Sequence, residues 1–178
     1  EKMFEENHID DLMKSILDRV GSKVGIVGTI ENRIGDKILK TERTTPESKE
    51  LQALFRQMKE EDVTDVVMEV SSHSLDLHRV DGIAFDVAIF TNLTQDHLDY
   101  HITMENYKAA KGMLFERAAK SVINMDDAAG AYMKEKSVGE VLTIGVDTQA
   151  DLMAENIDIS AEGTAFDMVW QGAKYPVK

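Results

Sequence analysis

Short runs of apolar, β-branched residues recur along the chain, separated by stretches whose apolar positions repeat every three or four residues. Val24 to Ile30, Val63 to Val70, Phe85 to Thr91, Ser121 to Asn124 and Glu140 to Ile144 read as strands, with helical patterns between most of them. That alternation predicts an α/β fold in which a mostly parallel sheet carries helices on both faces. Between Pro46 and Glu60 the residues Leu51, Leu54, Phe55 and Met58 share one helical face, with Pro46 expected at the first helical position and Thr45 as the cap. A second helical stretch, Thr103 to Ala118, carries Met104, Tyr107, Leu114, Phe115 and Ala118 as its apolar stripe. Beyond Gly145 the period shortens to two around glycine-containing turns. This predicts a small C-terminal antiparallel β-meander with strands near 151–159, 164–170 and 173–177. The expected organisation is one domain, an α/β core over 1–149 and the meander region over 150–178, with no repeat or low-complexity linker.

Composition narrows the partners. With 33 acidic against 20 basic residues the formal charge is −13, which disfavours a nucleic-acid backbone or an anionic membrane surface. An anionic substrate must then be met by locally placed Arg, Lys, metal or backbone amides. The absence of cysteine removes disulfides and thiolate metal sites. No run reaches the ~18 apolar residues of a membrane span, and the acidic start lacks the features of a signal peptide. A cytoplasmic protein is the expectation.

The candidate chemistry sits where strands should end, which is where open α/β sheets bind ligands. One apolar run finishes in Glu69-Val70-Ser71-Ser72-His73, and another leads into Thr91-Asn92-Leu93-Thr94-Gln95-Asp96-His97-Leu98-Asp99-Tyr100-His101. Glu69 and His97 are therefore candidate ligands of one divalent cation. His97 and His101 are four apart and could form half of a zinc site, but Leu98 stands where a general-base Glu would be. The oxygen-rich neighbourhood of Asp96, Asp99 and Glu69 suits magnesium better. For His97 the plainer alternative is a capping or turn residue.

Lys111 lies on the apolar side of its helix, four residues from Tyr107 and four from Phe115. A lysine so placed more commonly snorkels out along its stem; otherwise it faces a metal or phosphate site with a shifted pKa or a modification. Arg43-Thr44-Thr45-Pro46 brings hydroxyls to a helix N-terminus, which attracts anions; a cap accounts for one threonine and leaves the other, with Arg43, for a ligand. Arg79, in a turn between two strands, either forks onto a phosphate or carboxylate or remains a solvated charge.

Taken together, Thr44-Thr45-Pro46-Glu47-Ser48, Met68-Glu69-Val70-Ser71-Ser72-His73, His78-Arg79-Val80-Asp81-Gly82, Thr91 to Asp99 and Tyr107-Lys108-Ala109-Ala110-Lys111 resemble the central domain of the Mur ligases. The match runs from about Leu12 to Lys178 and is nearest the branch that adds the third amino acid to the peptidoglycan precursor. The resemblance implies a P-loop-NTPase-like sheet and an ATP-dependent amide ligase that joins a diamino acid, meso-diaminopimelate or L-lysine, to UDP-N-acetylmuramoyl-L-alanyl-D-glutamate through an acyl phosphate. By position it makes Glu69 and His97 magnesium ligands. It makes Lys111 a catalytic lysine that is carbamylated to hold a second Mg2+, and it makes Thr44, Thr45, Ser71 and Arg79 the residues that hold the UDP-muramoyl-peptide.

The family's phosphate loop, Gly-Thr-x-Gly-Lys-Thr, has no counterpart here: the chain reads Lys2-Met3-Phe4-Glu5-Glu6-Asn7, with Glu6 in place of the phosphate-binding lysine. A carboxylate there repels a triphosphate, so the ATP-binding residues are unknown. The expectation is a fragment of such a ligase, lacking its flanking uridine-binding and amino-acid-binding domains and inactive alone. Two other classes compete with it: a non-catalytic module that binds the UDP-precursor, and a metal hydrolase built on His97 and His101.

Overall fold

The computed structural model describes residues 8–96, 98–161 and 163–178. Contacts cluster into two compact units, 1–82 and 83–178, and each is described by itself.

The first unit begins with α1 (His8–Arg19), followed by β1 (Val24–Val27), β2 (Glu31–Ile34), β3 (Lys37–Lys40), α2 (Ser48–Glu60), β4 (Asp65–Met68) and α3 (Ser72–Asp76). Its sheet has the order β3-β2-β1-β4, with β1 and β4 parallel and β1, β2 and β3 antiparallel. β1 is buried along its whole length, as a strand covered on both faces must be. On one face Met58 of α2 presses so closely on Gly25 that a Cβ there would lie 2.8 Å from the Met58 sulfur. On the other face α1 packs against β1 and β4. Leu51, Leu54 and Met58 of α2 are buried, as the spacing predicts.

Two details of α2 differ from the sequence expectation. The helix starts at Ser48 with Glu47 as the cap, so Pro46 precedes the cap and Thr45 is not the capping residue. The Glu50 carboxylate accepts from the Glu47 N–H at 3.3 Å, and this reciprocal arrangement replaces a threonine cap. The β2–β3 hairpin was not anticipated, because Glu31 to Lys40 is too polar to read as a buried pair. Its two-residue turn, Gly35-Asp36, has Gly35 at φ 59°.

The second unit contains β5 (Phe85–Phe90), α4 (Leu98–His101), α5 (Met104–Gly112), β6 (Ala118–Asn124), α6 (Gly130–Lys136), β7 (Glu140–Gly145), β8 (Leu152–Ser160), β9 (Gly163–Trp170) and β10 (Ala173–Val177). β5, β6, β7 and β8 run parallel, and β8, β9 and β10 form the antiparallel meander that completes one six-stranded sheet. The mostly parallel α/β architecture with a C-terminal antiparallel region is as the pattern predicts. Ala88, Phe90, Phe115, Ala118, Ile123, Ala129 and Met133 make the core, with Phe90 and Phe115 edge to face at 6.2 Å. Ala118 opens β6 rather than closing the preceding helix, which ends at Gly112. β10 is the outermost described strand, and its Pro176 pairs with Asp167 of β9. No helix of the described residues is long and apolar enough to cross a membrane.

Candidate functional site

The parallel pairing of β1 and β4 sets Val27 beside Met68 and brings their C-terminal ends together. The Glu69 N–H donates to the Val27 carbonyl at 2.8 Å, which carries the ladder one residue further. The chain then leaves β1 through Gly28-Thr29 and β4 through Glu69-Val70-Ser71. Thr29 takes hold of Glu69: its N–H donates to Oε1 at 3.0 Å and its hydroxyl to Oε2 at 2.7 Å. Gly28 makes room for this, since a Cβ there would lie 2.8 Å from Glu69 Oε1 and 3.0 Å from Asp10 Oδ2. The Thr29 and Thr44 hydroxyls are 3.0 Å apart.

Thr45, 1 % exposed, stitches the same corner from beneath. Its hydroxyl donates to the Glu69 carbonyl at 2.9 Å and accepts from the Ser71 N–H at 3.1 Å. The Ser71 hydroxyl caps α3 by accepting from the Ser74 N–H at 3.1 Å. Arg79 follows α3 in a turn, with its side chain 15 % exposed. Its Nη1 donates to the Thr45 carbonyl at 3.3 Å, and its Nη2 lies 3.0 Å from Glu47 Oε1. Its Nε is buried without a protein partner. Thus Thr44, Thr45, Glu69, Ser71 and Arg79, spread over 36 positions of sequence, form one connected network. Arg43 meets Glu47 at 3.4 Å.

Sequence reasoning missed Thr29, Gly28 and Asp10. The Gly-Thr pair near the end of the predicted strand Val24 to Ile30 was the available signal for the first two, since the observed β1 stops before it; nothing local marks Asp10. Burial, the Glu69 charge and a hydrogen bond to Glu69 push the Asp10 carboxyl up to about 7 from the usual carboxylate range. Asp10 and Glu69 line a small cleft with Gly28, Ile30 and Glu31. Two carboxylates beside threonine hydroxyls make an all-oxygen donor set over a glycine whose Cβ would fill the space. Such a set fits a hard cation of the magnesium kind, which binds through one or two carboxylates and keeps several waters. Among the described residues no group of three or more His, Asp or Glu is arranged to hold a metal by itself.

The remaining candidates belong to the second unit. His97 lies outside the described residues. Lys111, in the last turn of α5, is half-buried between buried Ala110 and Gly112. His101 is 5 % exposed and stacks on Tyr107 with ring centroids 5.3 Å apart. Asp126, after β6, accepts from the N–H groups of Val146, Asp147 and Thr148 at 2.6, 3.1 and 2.6 Å, which holds its carboxyl below the usual range. That clasp joins the ends of β6 and β7 and is structural.

Known proteins resemble this chain over most of its length. The family model described as the Mur ligase middle domain matches residues 9–178. A UDP-N-acetylmuramoyl-L-alanyl-D-glutamate–2,6-diaminopimelate ligase of Clostridium botulinum is 52 % identical over 163 residues, covering 92 % of this chain and 34 % of the relative. The enzyme of the same name from Caldanaerobacter subterraneus is also 52 % identical, over 164 residues, with the same shares covered. Among solved structures, one of a UDP-N-acetylmuramoyl-L-alanyl-D-glutamate–2,6-diaminopimelate ligase superposes with a TM-score of 0.85 at 29 % identity, covering 96 % of this chain and 36 % of that one. A MurF from Acinetobacter baumannii, with a TM-score of 0.71 at 16 % identity over 96 % of this chain and 35 % of that one, shares the fold. The chain spans about a third of the length of the curated relatives it matches.

Proposed function

Because this chain belongs to the Mur ligase middle-domain family, we propose that residues 1–178 are the central portion of an ATP-dependent ligase acting in the cytoplasm on the peptidoglycan precursor. In this reading 1–149 supply the α/β core and 150–178 the meander region. The acceptor is UDP-N-acetylmuramoyl-L-alanyl-D-glutamate and the amine is a diamino acid, for which the names of the relatives favour 2,6-diaminopimelate. The γ-phosphate of ATP passes to the D-glutamate carboxylate, and the amine then displaces phosphate to close the amide bond.

The observation that carries this reading is the network at the ends of β1 and β4. Thr44, Thr45, Ser71 and Arg79 hold the UDP-muramoyl-peptide. The Arg79 guanidinium, anchored by Glu47 and the Thr45 carbonyl, keeps its fork in one orientation for an anionic group. Buried Thr45 fixes the backbone of Glu69 and Ser71 from beneath, so this polar corner needs no rearrangement on binding. By the family pattern Glu69 and His97 are each a magnesium ligand, and carbamylated Lys111 holds a second Mg2+. Bound magnesium supplies charge neutralisation at the phosphates. Lys111 is half-buried in the last turn of α5.

Titration calorimetry with the UDP-muramoyl-dipeptide tests the assignment. Binding by this chain that is lost in Arg79→Ala is the expected result; binding that Arg79→Ala leaves unchanged overturns it. A non-hydrolysable ATP analogue is expected to bind little, since Lys2 to Asn7 carry neither the glycines nor the Lys-Thr pair of a phosphate loop. A second reading is a precursor-binding module without turnover. Precursor-dependent ADP release by the protein that carries this chain separates the two.

A further inference from the structure

Thr29 is exposed, and water would satisfy its hydroxyl at no cost, yet it spends both its donors on one carboxylate. Its main-chain N–H takes Oε1 of Glu69 and its hydroxyl takes Oε2, so the carboxylate is held at both ends by a single residue 40 positions away. Gly28 completes the clamp by leaving the space that a Cβ would take from Oε1.

A hydroxyl has one proton, and a carboxylate can only accept. With the Thr29 proton given to Glu69, the 3.0 Å contact between Thr29 Oγ1 and Thr44 Oγ1 must be donated by Thr44. The hydrogen bonds therefore run one way, from Thr44 to Thr29 to Glu69. Thr44, its proton given to Thr29, is left as an acceptor. A carboxylate offers about four lone-pair positions; Thr29 fills two, the hydrogen bond with Asp10 takes a third, and the rest stays open to a cation.

We infer that Thr29 is the positioning residue of this site, fixing the Glu69 carboxylate for cation binding and turning Thr44 so that it accepts a hydrogen bond from an N–H or O–H of the precursor. The inference rests on the reading of Glu69 and Thr44 given above. It also states what kind of atom Thr44 meets: a donor, such as an amide N–H or a sugar hydroxyl, and not a phosphate oxygen.

The experiment is Mn2+ binding to the full chain, followed by electron paramagnetic resonance, for wild type, Glu69→Gln, Thr29→Val and Thr29→Ser, with thermal unfolding of each in metal-free buffer. Supporting residues of a metal site typically contribute ten-fold or more in affinity. Thr29→Val is expected to weaken Mn2+ by about ten-fold, and Thr29→Ser to restore it to within about two-fold. The midpoint of unfolding should move far less than the affinity, because Thr29 packs in no core.

If Glu69→Gln abolishes binding while Thr29→Val matches wild type, the positioning role is overturned and the cation reading stands. If Glu69→Gln binds as well as wild type, the cation reading fails and the inference with it. The 13Cδ resonance of Glu69 reads the clamp without a cation. It should shift in Thr29→Val and return in Thr29→Ser, and a resonance that stays in place in Thr29→Val overturns the inference.

Discussion

Thr45 shows how much one buried hydroxyl can organise. At 1 % exposure it both donates to the Glu69 carbonyl and accepts from the Ser71 N–H. Thr45→Val keeps the shape but leaves both backbone groups without their partner in a part-buried corner, an expected loss of about 1–3 kcal/mol in chemical denaturation. Asp126 carries a different kind of dependence. Three N–H groups favour its charged form, so its folded pKa is depressed. The stabilisation is present above the unfolded carboxylate value and is lost as pH falls through the lower folded one. Unfolding midpoints measured between neutral and strongly acidic pH should fall for wild type, and more shallowly for Asp126→Asn, which starts lower at neutrality. Neither role was legible in the sequence: Thr45 read as a helix cap and, by the resemblance, as a ligand contact, and nothing singled out Asp126. Their partners lie 20 to 26 positions away, and short-range patterns carry no trace of such contacts.

Elements were far more legible than contacts. The face Leu51, Leu54 and Met58 could be read directly, because burial against a sheet imposes the helical period on the apolar residues. Met58 fills the space above Gly25, and Met58→Ala is expected to cost about 2–5 kcal/mol by thermal or urea unfolding. The meander was legible for a related reason. Gly163 and Gly172 occupy positive φ values of 139° and 80°, so the turns announce themselves between alternating strands. The β2–β3 hairpin went unread although Gly35-Asp36 marks its turn. β3 is largely exposed, so its sequence is free to be polar and lacks the alternation that burial enforces. The helix after Thr103 read too long for the opposite reason: Leu114 and Phe115 keep the apolar period in the turn that follows, where Phe115 enters the core.

At the scale of the molecule, the alternation of strands and helices and the antiparallel end could be read from the pattern, but the division into two sheets, the strand order and the meeting of distant residues could not. Glu69 was marked by type and by its place at a strand end and Arg79 by type in a turn, whereas Thr29 and Asp10 are ordinary surface residues until β1, β4 and α1 are assembled. The high acidic charge is distributed over exposed positions and sets solubility and partner class, not architecture. One fold-wide feature bears on how the chain behaves at high concentration. Among the described residues β10 is one outer strand of the second unit's sheet; its Pro176 has no N–H to give and its Lys174 is charged. A strand from another molecule that approached this border would find an interrupted template and a cation to desolvate, the usual protection against edge-to-edge aggregation. Pro176→Val should therefore leave the unit folded while light scattering reports concentration-dependent self-association that wild type resists.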